Sequence, residues 1–108
     1  MKQLGEEKGL SVTGGILAGE TWLTSRSYTW PLVRCTISGD GITLTTSCPP
    51  RFHFYIPKQS ISQVVLKNYR IAAGIRIIHD SQEVPRYIHF GTFAVSDLKQ
   101  ALEHFHYV

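Results

Sequence analysis

The chain is poor in the residues that would define an easy chemistry. It has two cysteines, one methionine and no uninterrupted apolar run longer than a few residues. Cys35 and Cys48 form no CxxC pair and have no companion pair, which excludes a zinc ribbon or a thioredoxin-like motif. Apolar runs this short fall far below the roughly 20 residues of a membrane helix. The opening residues 1–9 are polar, with no apolar stretch behind them that would form a signal peptide. Gly-x-Ser-x-Gly, a Walker loop, His-Glu-x-x-His and a dinucleotide fingerprint are all missing. A non-enzymatic protein without a cofactor or metal is expected.

Acid is also scarce where it matters. The chain carries 11 Lys+Arg against 8 Asp+Glu, for a formal charge of +3. No acid occurs between Gly41 and His79, whereas Arg51, Lys58, Lys67, Arg70 and Arg76 all lie there. That interval is therefore +5 and the remainder −2. One sign of charge attracts an anionic surface or polyanion if the fold gathers it on one face.

What is present is enough for one domain. The 108 residues are 43% hydrophobic, sufficient for a core without staples. Five glycines within 1–19 read as a flexible Gly-rich leader, followed by a domain over 20–108. Beyond it, seven runs rich in Thr, Val, Ile and aromatics recur about every ten residues: 21–28, 32–38, 42–47, 52–56, 62–67, 75–80 and 86–91. Val33, Cys35 and Ile37 alternate with Arg34, Thr36 and Ser38, giving one dry and one wet face. Gly39-Asp40-Gly41 reads as a hairpin turn with positive φ at its glycines, which sets Cys35 opposite about Thr45 and leaves both cysteines reduced and partly buried. Phe52 and Phe54 share a face that suits the core, with His53 and Tyr55 on the other side. Val95, Leu98, Leu102 and Phe105 form the apolar stripe of one terminal helix, with Ser96 as its N-cap and Asp97 in its first turn.

The five histidines do not share a metal-binding spacing. His104 and His106 lie about 200° apart around a continuing helix, and His79 and His89 sit off register on neighbouring strands. His53 stands apart from both pairs.

Pro31-Leu32, Gly41-Ile42-Thr43-Leu44, Ile61-Ser62-Gln63-Val64, Gly74-Ile75-Arg76-Ile77 and Pro85-Arg86-Tyr87-Ile88-His89-Phe90, followed by the helix around Leu98 and Leu102, resemble a pleckstrin-homology-like (PH-like) domain. The resemblance is to small bacterial members and covers about 20–108. It implies a mainly β barrel or sandwich with one helix: seven antiparallel strands in two near-orthogonal sheets, capped by a C-terminal amphipathic helix. Phosphoinositide-binding members carry a Lys/Arg-x-Arg cluster near their first loop. Here Arg26 and Arg34 are the only bases in 20–40, and no Arg-x-Arg occurs.

The resemblance implies a binding or assembly module that recognises a protein or peptide, or a second copy, through the groove between a strand edge and the helix. Trp22, Tyr28, Trp30 and Tyr107 are expected to border that groove. The loop 68–74, with Tyr69 and Arg70 at its tip, is the best basic tip. Candidate binding residues are therefore Lys58, Lys67, Tyr69, Arg70, Arg76 and Trp30. The alternative is an anionic lipid headgroup or a single-stranded nucleic acid held by 41–79, nucleic acid being the less favoured because its aromatics suit the core. The expected location is cytoplasmic, or at the membrane surface if the domain belongs to a longer membrane-anchored protein.

Overall fold

A computed structural model describes residues 9–19, 26–46, 51–68 and 73–108. Seven strands run in chain order: β1 Leu10–Gly19, β2 Arg26–Ile37, β3 Gly41–Thr46, β4 Phe52–Pro57, β5 Ile61–Asn68, β6 Ala73–His79 and β7 Tyr87–Thr92. A 3-10 turn, Lys58–Ser60, joins β4 to β5, and helix α1 spans Val95–His104. All pairings are antiparallel, in one continuous sheet of order β4-β3-β2-β1-β7-β6-β5.

The connection between β4 and β5 shows why the sheet curls. A flat array would hold its two edge strands about 29 Å apart at ~4.8 Å per strand. A three-residue link reaches roughly 13 Å at most. The two edges must therefore meet at one corner, and the sheet becomes a half-barrel. Two hydrogen bonds fix that corner: Lys58 N–H donates to the Asp40 carbonyl at 2.8 Å, and Asp80 N–H donates to the Ser60 carbonyl at 3.0 Å.

Residues 10–19 correct the expectation of a loose leader. They form β1, the central strand, paired with β2 on one side and β7 on the other. Gly14 within it is a packing residue. A Cβ on Gly14 would strike the Gly91 carbonyl oxygen and lie 2.7 Å from Cζ of Phe90, so no larger side chain fits where β1 crosses β7. The first two expected strands, 21–28 and 32–38, are also revised: 26–37 is a single strand. Its register against β1 shifts between Gly14↔Val33 and Ile16↔Tyr28. Pro31, which has no N–H for a ladder, falls in that irregular interval, as prolines in sheets tend to do.

Alternation then builds the core. Val12 and Ile16 of β1, Val33, Cys35 and Ile37 of β2, Ile42 and Leu44 of β3, Ile75 and Ile77 of β6, and Ile88 and Phe90 of β7 are buried on the concave side. Leu98, Ala101 and Leu102 of α1 cover them, with Val95 and Phe105 partly buried at the ends of the stripe. Phe52 and Phe54 pack against this core as a stacked pair, centroids 4.6 Å apart, while His53 and Tyr55 are exposed.

Three local expectations change. Cys35 faces Leu44 and Arg34 faces Thr45, because pairing Cys35 with Thr45 would set an inward residue against an outward one. Cys35 is wholly buried and free, and burial pushes its thiol pKa up; Cys48 lies outside the described residues. The β2–β3 turn does not use positive φ, which among the described residues occurs only at Gly9 and His106. Ser38 holds it instead: its N–H and hydroxyl donate to the Gly41 carbonyl at 3.0 and 3.1 Å, and its Oγ accepts the Asp40 N–H at 3.3 Å. Finally, α1 begins before Ser96. Ala94 is the cap residue without a side-chain bond of its own, and its N–H is taken by Thr92 Oγ1 at 3.0 Å. That hydroxyl also donates to the Thr13 carbonyl at 2.6 Å, tying the helix start to β1.

Candidate functional site

The seven strands contain no Asp or Glu. Among the described residues the acids stand in turns, at Asp40, Asp80 and Glu83, or on α1, at Asp97 and Glu103. Because strand side chains alternate, the apolar set takes the concave face and the bases are directed to the convex one. Arg34, Lys67 and Arg76 are exposed there.

Strand register brings the bases of β5 to β7 together. Val65 faces Arg76, Arg76 faces His89 and His89 faces Leu17, forming one row across four strands. The next row is Lys67, Gly74, Gly91 and Gly15. With no side chain on Gly74, the His89 imidazole lies across it: Nε2 is 3.1 Å from where a Cβ would stand. Burial, then the charges of Lys67 and Arg76, hold the His89 pKa below its ordinary value. No carboxylate on these strands relieves the repulsion. The Arg76 guanidinium lies 5.0 Å from the centre of the Tyr87 ring, a cation–π contact that anchors it on the far side of the row.

Arg76 also borders a cleft. The β6–β7 ladder ends at Arg76↔His89, while β6 continues on its other side, pairing with β5 as far as Ile61↔His79. Where β7 leaves β6, a half-open cavity of about 740 Å³ forms, lined by Arg76 to Gln82, Val84 and Arg86. His79 braces it. Nε2 donates to the Pro85 carbonyl at 2.9 Å and Nδ1 accepts the Ser81 N–H at 3.1 Å, which fixes the ring and the path of the loop.

The other candidates separate. Lys58 is turned away from the cluster and serves the chain end. Its Nζ donates to the Phe105 carbonyl at 2.6 Å and lies 5.0 Å from the centre of the Tyr107 ring. Trp30 belongs to β2 at the register shift. Tyr69, Arg70 and Trp22 lie outside the described residues. Tyr107 is committed to the β2–β3 turn, donating to the Ser38 carbonyl at 2.7 Å. The sequence reading missed His89, Tyr87 and Arg86 as neighbours of Arg76. The alternation of Tyr87 and His89 with Ile88 and Phe90 signals their face, but Arg86 precedes the strand, and a seven-residue connection does not reveal the register.

Among the described residues, no three His, Cys, Asp or Glu side chains gather as metal ligands, and no helix is long and apolar enough to cross a membrane. Comparisons with family models, with curated proteins and with solved structures found no match.

Proposed function

We propose that this chain is a non-enzymatic binding or assembly module of PH-like fold, which takes an extended segment of a protein or peptide, or of a second copy, along its open sheet edge. The curled seven-strand antiparallel sheet, continuous where two near-orthogonal sheets are expected, and α1 over its concave face support the PH-like reading. One observation carries the function. Among the described residues β4 and β5 are each paired on one side only, so beyond Phe52 each directs backbone donors and acceptors outside the ladder. Such an edge is a template for strand addition unless it is covered.

Amide hydrogen exchange combined with light scattering tests this. Slowed exchange confined to β4 or β5 as the mass rises with concentration, or on adding a peptide selected from a random library, is the expected result. A strict monomer that selects no peptide and keeps fast-exchanging edge amides would refute it.

The acid-free strands favour a second reading, an anionic partner on the convex face. A phosphate-rich lipid surface fits better than single-stranded nucleic acid, because Phe52 and Phe54 pack inward and leave Tyr55 as the outward aromatic of β4. Tyr55 donates its hydroxyl to the Asp40 carbonyl at 3.2 Å. Retention on heparin that disappears at low salt would remove this reading.

A further inference from the structure

We infer that the cleft where β7 leaves β6 binds a phosphate monoester group, clamped between Arg76 and Arg86. The inference rests on the anionic reading above and narrows it to one site. Two independent features meet at Arg76: a cavity and a cluster of cations. The cavity, about 740 Å³, falls within the size range of small-molecule sites. Its walls are the end of β6 and the following turn, so apart from Ile77, Ile78 and Val84 they present polar side chains and backbone. A small charged ligand suits such a lining better than an apolar one.

Charge selects the ligand. Arg76 and Arg86 are both exposed at the cleft, and Lys67 and His89 stand on the other side of Arg76. Two guanidinium groups with Lys67 close by match a dianion better than a single carboxylate. Guanidinium also offers paired donors to phosphate oxygens. Tyr87 holds Arg76 by its ring face, leaving the guanidinium edge free to donate. An anion here would favour the protonated form of His89, which burial, Lys67 and Arg76 disfavour. Asp80 is the one carboxylate in the lining and opposes the ligand.

The test is an NMR titration of the full chain with inorganic phosphate near neutral pH, with ionic strength held constant by chloride. Saturable shifts at Ile78 to Ser81 and at Arg86 are expected. Arg76→Gln and Arg86→Gln should each weaken binding roughly tenfold, the loss of one charge-assisted contact. Asp80→Asn should strengthen it, and Lys99→Gln on α1 should leave it unchanged. Arg86 lies in the exposed turn, so its variant stays informative if Arg76→Gln fails to fold. Shifts that do not saturate, or an affinity unchanged in both arginine variants, would overturn the inference. Heparin retention that is lost in Arg34→Gln, in a chain that binds no phosphate, would overturn this site while leaving the broader anionic reading intact.

Vesicles of phosphatidylcholine with and without phosphatidic acid identify the source. Binding that requires phosphatidic acid and Arg76 assigns the group to a lipid headgroup. Phosphate binding without vesicle binding assigns it to a soluble monoester.

Discussion

Tyr107 donates its hydroxyl to the carbonyl of Ser38 at 2.7 Å, joining the last turn of the chain to the β2–β3 hairpin 69 residues earlier. Lys58 completes the junction from the β4–β5 corner by donating to the Phe105 carbonyl, one of the helix-end acceptors that α1 cannot satisfy itself. Three distant parts of the chain are thus tied at the point where the half-barrel edges meet.

Removing either tie should loosen the helix. Tyr107→Phe is expected to cost about 1 kcal/mol, the net worth of one hydrogen bond, and Lys58→Met about 1–2 kcal/mol, since its bond is charge-assisted but half-exposed. Urea denaturation measures both. Because Phe keeps the ring that Lys58 lies beside, Tyr107→Phe leaves that contact in place and the double variant should lose about the sum. Burial, with smaller contributions from Tyr55, Asp40 and Cys35, raises the Tyr107 phenol above its ordinary 10.0. Its contribution is therefore complete below pH 10 and declines as pH rises through the native value, and Tyr107→Phe should flatten the alkaline limb of stability against pH.

The route to Tyr107 passes through His106, whose φ of 64° is left-handed. The Tyr107 N–H reaches back to the Leu102 carbonyl at 2.8 Å and the His106 N–H to Glu103 at 3.2 Å, the double bond pattern of a Schellman cap. A side chain at this position is strained by about 1 kcal/mol or more. His106→Gly should hold or raise the melting temperature, because relief of strain offsets the extra freedom glycine gains when unfolded. His106→Ile should lower stability by about 1–2 kcal/mol. Equal stability of the two variants would show that the left-handed turn is not held.

His89 gives an acid-side signature. Its native pKa lies below the unfolded 6.5, so the unfolded chain binds the proton first as pH falls. The contribution of neutral His89 is complete above pH 6.5 and is lost as pH falls from there toward the native value. Urea midpoints followed across this window should drop less steeply in His89→Asn than in the parent chain. Lys67→Gln should move the His89 titration upward, readable by NMR from the imidazole resonances.

Much of the fold was legible because strand alternation is local. Val33, Cys35 and Ile37, or Ile75 and Ile77, declare a buried face by their spacing, and Leu98 and Leu102 declare a helix by theirs. The glycines of 10–19 misled because glycine marks both loose chain and close packing. Only the nearness of Gly91 and Phe90 to Gly14 distinguishes the two. The candidate bases were legible as an acid-free interval, but their fates diverged: Lys67 and Arg76 share the convex face, while Lys58 turns to the chain end.

The sequence by itself determined a mainly β chain with one terminal amphipathic helix and an acid-free interval over 41–79, since composition and period are properties of neighbouring residues. Tertiary structure decided the rest. It placed β1 at the centre of the sheet, set Arg76 between His89 and the mouth of a cleft, and joined Lys58 to the chain end. Each of these depends on which strands pair and in what register, and on where a curled sheet brings its edges together, contacts between residues far apart in the chain that local pattern does not encode.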